Sequence, residues 1–123
     1  MPWFRSLRKV IQPYAVTQLT IEAVFAALEP QAIADAHAHR ATIKTERART
    51  ADALKSHKCV RRVWPSEANF LLVEFDDAGA ALQRAHGVGV LVRDLRAALT
   101  PAQALRISIG SPEQNEQLLA SLA

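Results

Sequence analysis

Near residue 57 the spacing of the apolar residues changes from helical to strand-like. Before this point, five side chains repeat at the three-, four- and seven-residue spacing of one helix face: Ile33, Ala36, Ile43, Thr50 and Leu54. Pro30 suits the first turn of a helix, so the pattern predicts one long helix from Pro30 to about His57, roughly 40 Å in length. Short apolar runs follow it. The chain is therefore expected to place its helices first and a sheet after them.

Two shorter helices are predicted upstream of Pro30. Residues Trp3 to Ile11 indicate the tail of a helix that Pro13 stops. Residues Thr17 to Leu28 carry apolar side chains at helical spacing and predict a second helix.

Four apolar runs after residue 59 predict the strands of one sheet: Val60–Trp64, Asn69–Phe75, Val90–Asp94 and Leu105–Ile109. The first run is short and ends at a proline, which is typical of an edge strand. The second is apolar on both faces, which favours a central position.

Two helices are predicted among and after these strands. Asp77 can cap a helix that runs to His86, with Gly87 ending it as a left-handed cap. The last helix, ending near Leu122, has an N-cap, a proline at its first position and a capping-box partner: Ser111, Pro112 and Gln114. The order after the long helix is β-β-α-β-β-α. It indicates an α+β fold in which helices cover one face of a mostly antiparallel sheet, and we expect residues 1–123 to form a single domain.

The formal net charge is +3, and the basic residues concentrate in one region: Arg40, Lys44, Arg47, Arg49, Lys55, Lys58, Arg61 and Arg62. A nucleic-acid surface is one interpretation, and the solvated flank of a long helix is the other. The second is favoured because no stacking aromatic residues are interleaved there and no groove-reading motif accompanies the patch. We therefore expect no nucleic-acid partner.

Membrane and metal functions have little support in the sequence. No apolar run approaches the roughly 20 residues that span a bilayer, so a cytoplasmic protein is expected. His37 and His39 are two residues apart and would point to nearly opposite sides of a helix, so no metal site is expected. Cys59 is the single cysteine and is interpreted as a small buried residue.

Arg106 is the residue most indicative of binding. Strand alternation sends Leu105 and Ile107 to one face and Arg106 with Ser108 to the other. An arginine within an apolar strand is costly unless it holds a carboxylate or phosphate, which its planar fork binds in a bidentate manner. The alternative is an internal ion pair with Glu74 or Asp94, and the spacing does not decide between the two.

Arg93 presents the same alternatives. It lies at the end of its predicted strand, beside Asp94. Two arginines on two strands of one sheet can jointly hold a ligand with two anionic groups. They can equally pair with Asp94 and have no further role.

Four segments together resemble the histidinol-phosphate aminotransferases, a branch of the fold-type-I aminotransferases that use pyridoxal phosphate: "RKVIQPYAVTQLTIEAVFAAL", "SEANFLLVEF", "GVLVRDL" and "LRISIGSPEQNEQLLASL". The resemblance extends from about Pro2 to Leu122 and implies the small, carboxyl-terminal domain of such an enzyme. It implies that Arg106 binds the α-carboxylate of the substrate and that Arg93 lies next to the phosphate end of histidinol phosphate.

The same resemblance indicates what to expect of the complete enzyme. It implies amino transfer between histidinol phosphate and 2-oxoglutarate, with glutamate as the other amino acid, in histidine biosynthesis by a homodimer. The family's Schiff-base lysine and cofactor-phosphate arginine lie upstream of the matching region. We therefore expect no catalytic residue, no bound cofactor and no activity in these 123 residues alone.

Two other functions stay open at this point: a freestanding domain that binds a small anion, and a nucleic-acid binder that uses the basic helix. Self-association is also predicted, because several apolar side chains near the amino terminus would lack cover without a large domain. They are Trp3, Phe4, Val10, Ile11 and Val16.

Overall fold

The computed structural model describes residues 16–97 and 101–122. It contains, in chain order, α1 (Gln18–Ala27), α2 (Pro30–Lys55), β1 (Val60–Val63), β2 (Phe70–Phe75), α3 (Ala78–Gly87), β3 (Arg93–Asp94), β4 (Ala104–Ser108) and α4 (Pro112–Ser121). This order confirms the predicted one. The helix predicted over Trp3 to Ile11 lies outside the described residues. The chain divides into two compact units, Met1–Ala38 and His39–Ala123.

Helix α1 begins where the sequence predicts it. The side chain of Thr17 caps it by accepting a hydrogen bond of 3.2 Å from the backbone N–H of Thr20. None of its residues is buried, and apolar side chains at the spacing of one face are exposed: Ile21, Val24, Phe25 and Leu28. Val16, one of the residues on which the self-association prediction rests, is also exposed. Self-association stays a prediction.

The sheet in the second unit has the strand order β1-β2-β4-β3, and every neighbouring pair is antiparallel. The predictions that β1 is an edge strand and β2 a central one are confirmed. Burial alternates along β2: Leu71, Val73 and Phe75 are buried, whereas the residues between them are half-buried. One face of the sheet is therefore covered more completely than the other.

Three helices cover that buried face. Leu54 of α2, Ala81 of α3 and Leu118 of α4 belong to one cluster with Val73 and Ile107 of the sheet. Each fully buried large apolar side chain contributes roughly 1.5–3 kcal/mol to folding. The predicted α+β arrangement, with helices on one face, is confirmed. We call the other side of the sheet the open face. Its strand residues include Phe70, Leu72, Arg106 and Ser108.

Strand β3 is shorter than the predicted Val90–Asp94, because only Arg93 and Asp94 pair with β4. The N–H of Val90 donates instead to the carbonyl of Ala85 in α3, at 2.9 Å. Gly89, with φ of 78°, provides the left-handed turn that makes this possible, whereas Gly87 is the last residue of α3 and not its left-handed cap. The residues before Arg93 are thus bonded to α3 instead of β4, although their apolar pattern is typical of a strand.

The last helix confirms its predicted start. The backbone N–H of Gln114 donates to the Ser111 hydroxyl, and the Gln114 side chain accepts from the backbone N–H of Ser111, with Pro112 at the first position. This capping box satisfies donors that the first helical turn leaves free. It places the amino end of α4 directly after β4.

Candidate anion-binding site

Arg106 projects from the middle of the sheet onto the open face. Its neighbours in β4, Leu105 and Ile107, are buried under the helices, and the alternation of the strand sends Arg106 to the opposite side. In β2 the residue directly opposite is Leu72. The strand thus holds a half-buried arginine beside an apolar side chain.

Arg93 lies directly opposite Arg106 on the other side, across the β3–β4 pair. Residues in this relation share a face and have β-carbons roughly 4.5–5.5 Å apart. The structure therefore brings together the two arginines that the sequence singles out. We call Arg93 and Arg106 the arginine pair.

Neither of the predicted internal partners neutralises the arginine pair. Asp94 binds Arg96 instead, with Arg96 Nε at 3.0 Å from Oδ1 and Nη2 at 2.7 Å from Oδ2. The Arg96 side chain, helped by its backbone N–H, lowers the pKa of Asp94 to about 2. Glu74 forms no ion pair with Arg106. Within the described residues, the arginine pair has no carboxylate partner.

Arg106 has an aromatic contact that the sequence analysis did not predict. Its guanidinium carbon lies 5.2 Å from the centroid of the Phe70 ring. Its Nε is buried and has no hydrogen-bond partner in the described part of the chain. A buried donor without a partner is costly.

A buried polar cluster secures the turn that follows β4. Asn115 of α4 accepts a hydrogen bond from the Gly110 N–H at 2.9 Å, and its Nδ2 donates to the Gly110 carbonyl at 3.1 Å and to Glu46 Oε2 at 2.8 Å. Arg49 completes the cluster with a hydrogen bond of 2.9 Å from Nη2 to Glu46 Oε2. These contacts join α2 and α4 to the turn that follows β4, the strand that carries Arg106.

The stability that this cluster contributes depends on pH through the charge of Glu46. Hydrogen bonds from Arg49, and then from Asn115, hold the pKa of Glu46 below its usual value. Its contribution is therefore fully present above the unfolded-state pKa and is lost as pH falls through the lower, folded-state pKa. We expect the difference in unfolding free energy between the parent chain and Glu46→Gln to be constant from about pH 7 to pH 6 and to shrink below about pH 4. Urea denaturation across this range measures it, and a difference that does not change with pH would contradict the role of the Glu46 charge.

A cavity of about 400 Å³ lies at the edge of the sheet, where Gly89–Val92 separate from Ile107–Gly110. Neither member of the arginine pair lines it. The open face is the stronger candidate site because the unneutralised charge lies there.

Half of the eight basic residues in and after the long helix are engaged with carboxylates. Four of them form ion pairs with acidic groups from this region and from elsewhere in the chain: Arg47 with Glu67, Arg49 with Glu46 and Glu116, Lys55 with Asp52, and Arg61 with Asp76. This pairing favours the interpretation of a solvated flank over that of a nucleic-acid surface.

Other kinds of site find no support in the part of the chain that is described. No group of three or more His, Cys, Asp or Glu side chains there could hold a metal ion. No helix in residues 16–97 or 101–122 is long and apolar enough to cross a bilayer. The lysines of these ranges, Lys44, Lys55 and Lys58, are all exposed. They do not fit the enclosed lysine of a pyridoxal-phosphate site.

A model of the aminotransferase class I and II family matches residues 2–122. The chain therefore belongs to this family. It is similar to the histidinol-phosphate aminotransferase of Xylella fastidiosa, with 45% identity over 116 residues, covering 94% of this chain and 32% of the relative. The enzyme of the same name from Stenotrophomonas maltophilia is 45% identical over 117 residues, covering 95% of this chain and 32% of that protein. The resemblance inferred from the four sequence segments is confirmed.

The chain spans about a third of the length of these curated relatives. In three dimensions it is similar to a solved decarboxylase from Sulfurospirillum multivorans, with a TM-score of 0.77 and 17% identity, covering 98% of this chain and 35% of that one. At this identity the likeness shows the fold alone.

Proposed function

We propose that this chain is the small, substrate-binding domain of an enzyme like histidinol-phosphate aminotransferase. The complete enzyme passes an amino group between histidinol phosphate and 2-oxoglutarate in the cytoplasm, and it acts as a dimer. Pyridoxal phosphate provides the electron sink for this chemistry when bound. In this proposal the pocket for it belongs to the rest of the enzyme, and the part of this chain in the reaction is to hold the substrate.

The observation that carries the proposal is the arginine pair on the open face. Two like charges directly opposite each other in a sheet are destabilising, and here no described carboxylate relieves them. An external anion relieves both at once. Arginine suits this role because its planar fork binds carboxylate and phosphate groups through two parallel hydrogen bonds.

The two arginines have different tasks in this proposal. Arg106, half-buried and flanked by Leu72, holds the anionic group of either substrate: the α-carboxylate of glutamate, or the phosphate of histidinol phosphate, which has no carboxylate. Arg93, exposed on the edge strand, provides a second fork for that phosphate. Fixing this anion orients the reacting amino group, and alignment of this kind can contribute several kcal/mol to lowering a barrier.

A chimaera tests the proposal. This chain replaces the segment of the Xylella fastidiosa relative that it matches, and amino transfer from histidinol phosphate to 2-oxoglutarate is measured. We expect an active enzyme. A chimaera that folds and binds pyridoxal phosphate but transfers no amino group from histidinol phosphate would contradict the proposal. If the isolated chain still bound phosphate in that case, a freestanding anion-binding domain would be the better description.

The isolated chain is expected to form no specific lysine adduct with pyridoxal phosphate. Lys44, Lys55 and Lys58 are exposed, so none of them is desolvated in the way that favours a reactive amine. Borohydride reduction followed by mass spectrometry of the digested chain is the measurement, with free lysine as the reference for non-specific labelling. A stoichiometric adduct on one lysine would contradict the expectation.

A further inference from the structure

Phe70 lies diagonally across from Arg106 on the open face. The β2–β4 register pairs Phe70 with Ser108 and Leu72 with Arg106, so Arg106 has Leu72 directly beside it and the Phe70 ring two residues along. The guanidinium carbon is 5.2 Å from the ring centroid, within the distance of about 6 Å at which a cation is attracted to an aromatic face.

We infer that Phe70 is a positioning residue for Arg106, an inference that rests on the proposed anion site. A carboxylate beside Arg106 would fix the guanidinium, but it would also occupy its N–H donors and cancel its charge. The ring of Phe70 attracts the cation through its face and takes no hydrogen bond from it. The fork of Arg106 is therefore held in place with its donors and its charge available to a ligand.

The two residues directly across from Arg106 in the sheet cannot do this. Leu72 offers an apolar surface without the negative face of an aromatic ring, and Arg93 carries the same charge as Arg106. The Nε of Arg106 is buried and has no hydrogen-bond partner among the described residues, so no acceptor in this part of the chain holds that end of the guanidinium.

The test compares Phe70→Leu with Phe70→Tyr in the 123-residue chain. Nuclear magnetic resonance follows the Nε–H resonance of Arg106, which is assigned by its absence in Arg106→Lys, during titration with inorganic phosphate. In Phe70→Leu we expect this resonance to lose the ring-current shift and phosphate to bind roughly three- to ten-fold more weakly. Phe70→Tyr keeps the aromatic face and is expected to retain both. Phe70→Met replaces the leucine variant if that one does not fold.

A second arginine–aromatic contact provides the control. Arg62 lies 3.8 Å from the centroid of the Trp64 ring. Trp64→Leu removes that contact and is expected to leave the Arg106 resonance and phosphate binding unchanged. If Phe70→Leu binds phosphate as tightly as the parent chain, or Phe70→Tyr loses as much as Phe70→Leu, the inference is wrong. If the parent chain binds no phosphate, the anion site itself is wrong, and the Nε–H shift alone then decides whether the contact exists.

Discussion

Replacing Arg106 by alanine in the chimaeric enzyme is expected to lower kcat/KM for glutamate and for histidinol phosphate alike, by roughly ten- to a hundred-fold. The same fork holds the α-carboxylate of glutamate and the phosphate of histidinol phosphate, and a lost charge-assisted contact costs about 1.5–3 kcal/mol. Arg106→Lys is expected to recover little of this loss, because an ammonium group cannot reproduce two parallel hydrogen bonds. Steady-state kinetics with both substrates is the measurement.

Arg40 provides the matched control for charge. It is an exposed arginine of α2 and belongs to no strand of the sheet. Arg40→Ala removes the same formal charge and is expected to leave kcat/KM within about two-fold of the parent, as is usual for exposed charges with no direct contact. An Arg106→Ala variant that behaves like Arg40→Ala would contradict the assignment of Arg106 to the substrate.

Asn115→Ala is expected to destabilise the chain by about 2–4 kcal/mol. The amide of Asn115 is buried and forms three hydrogen bonds, and its loss leaves the Gly110 backbone and the Glu46 carboxylate short of partners. Partners left unsatisfied inside a protein account for most of such a cost. Urea or thermal denaturation measures the change.

Gln117 of the same helix provides the comparison for Asn115. It is exposed, and its Nε2 donates to the Val88 carbonyl at 2.6 Å. Because water can replace an exposed hydrogen bond, Gln117→Ala is expected to cost less than about 1 kcal/mol. If Asn115→Ala costs no more than Gln117→Ala, the buried cluster does not secure the end of β4.

The sequence predicts those parts of the fold that depend on local signals. The Asp77 cap, the Ser111 capping box and the helical spacing of residues 17–28 each act within a few residues, and the structure confirms them. The length of β3 depends on whether the residues before Arg93 form backbone hydrogen bonds with β4 or with α3, and no local pattern shows which. Val90 donates to Ala85, so the strand-like run before Arg93 pairs for only two residues.

The candidate site, like the fold, has parts that local patterns predict and parts that they do not. Alternation along β4 is enough to separate Arg106 from the buried Leu105 and Ile107. The contact with Phe70 depends on the register of β2 against β4, which pairs residues 30 to 38 positions apart in the chain, and no local sequence pattern shows that register. One feature of the sequence does indicate the buried cluster around Asn115. Asn115 shares a helix face with Leu118, Leu119 and Leu122, which marks a buried polar residue in need of partners. Its partner Glu46 lies in another helix, and only the structure shows it.

Arg93→Ala in the chimaera tests most directly whether Arg93 and Arg106 have different tasks in substrate binding. The measurement is kcat/KM for histidinol phosphate and for glutamate in the same preparation. We expect Arg93→Ala to lower kcat/KM for histidinol phosphate roughly ten-fold or more, and for glutamate far less, because the distal carboxylate of glutamate is smaller and less charged than a phosphate. An equal loss for both substrates would contradict the account, because Arg93 would then act on the sheet and not on the phosphate.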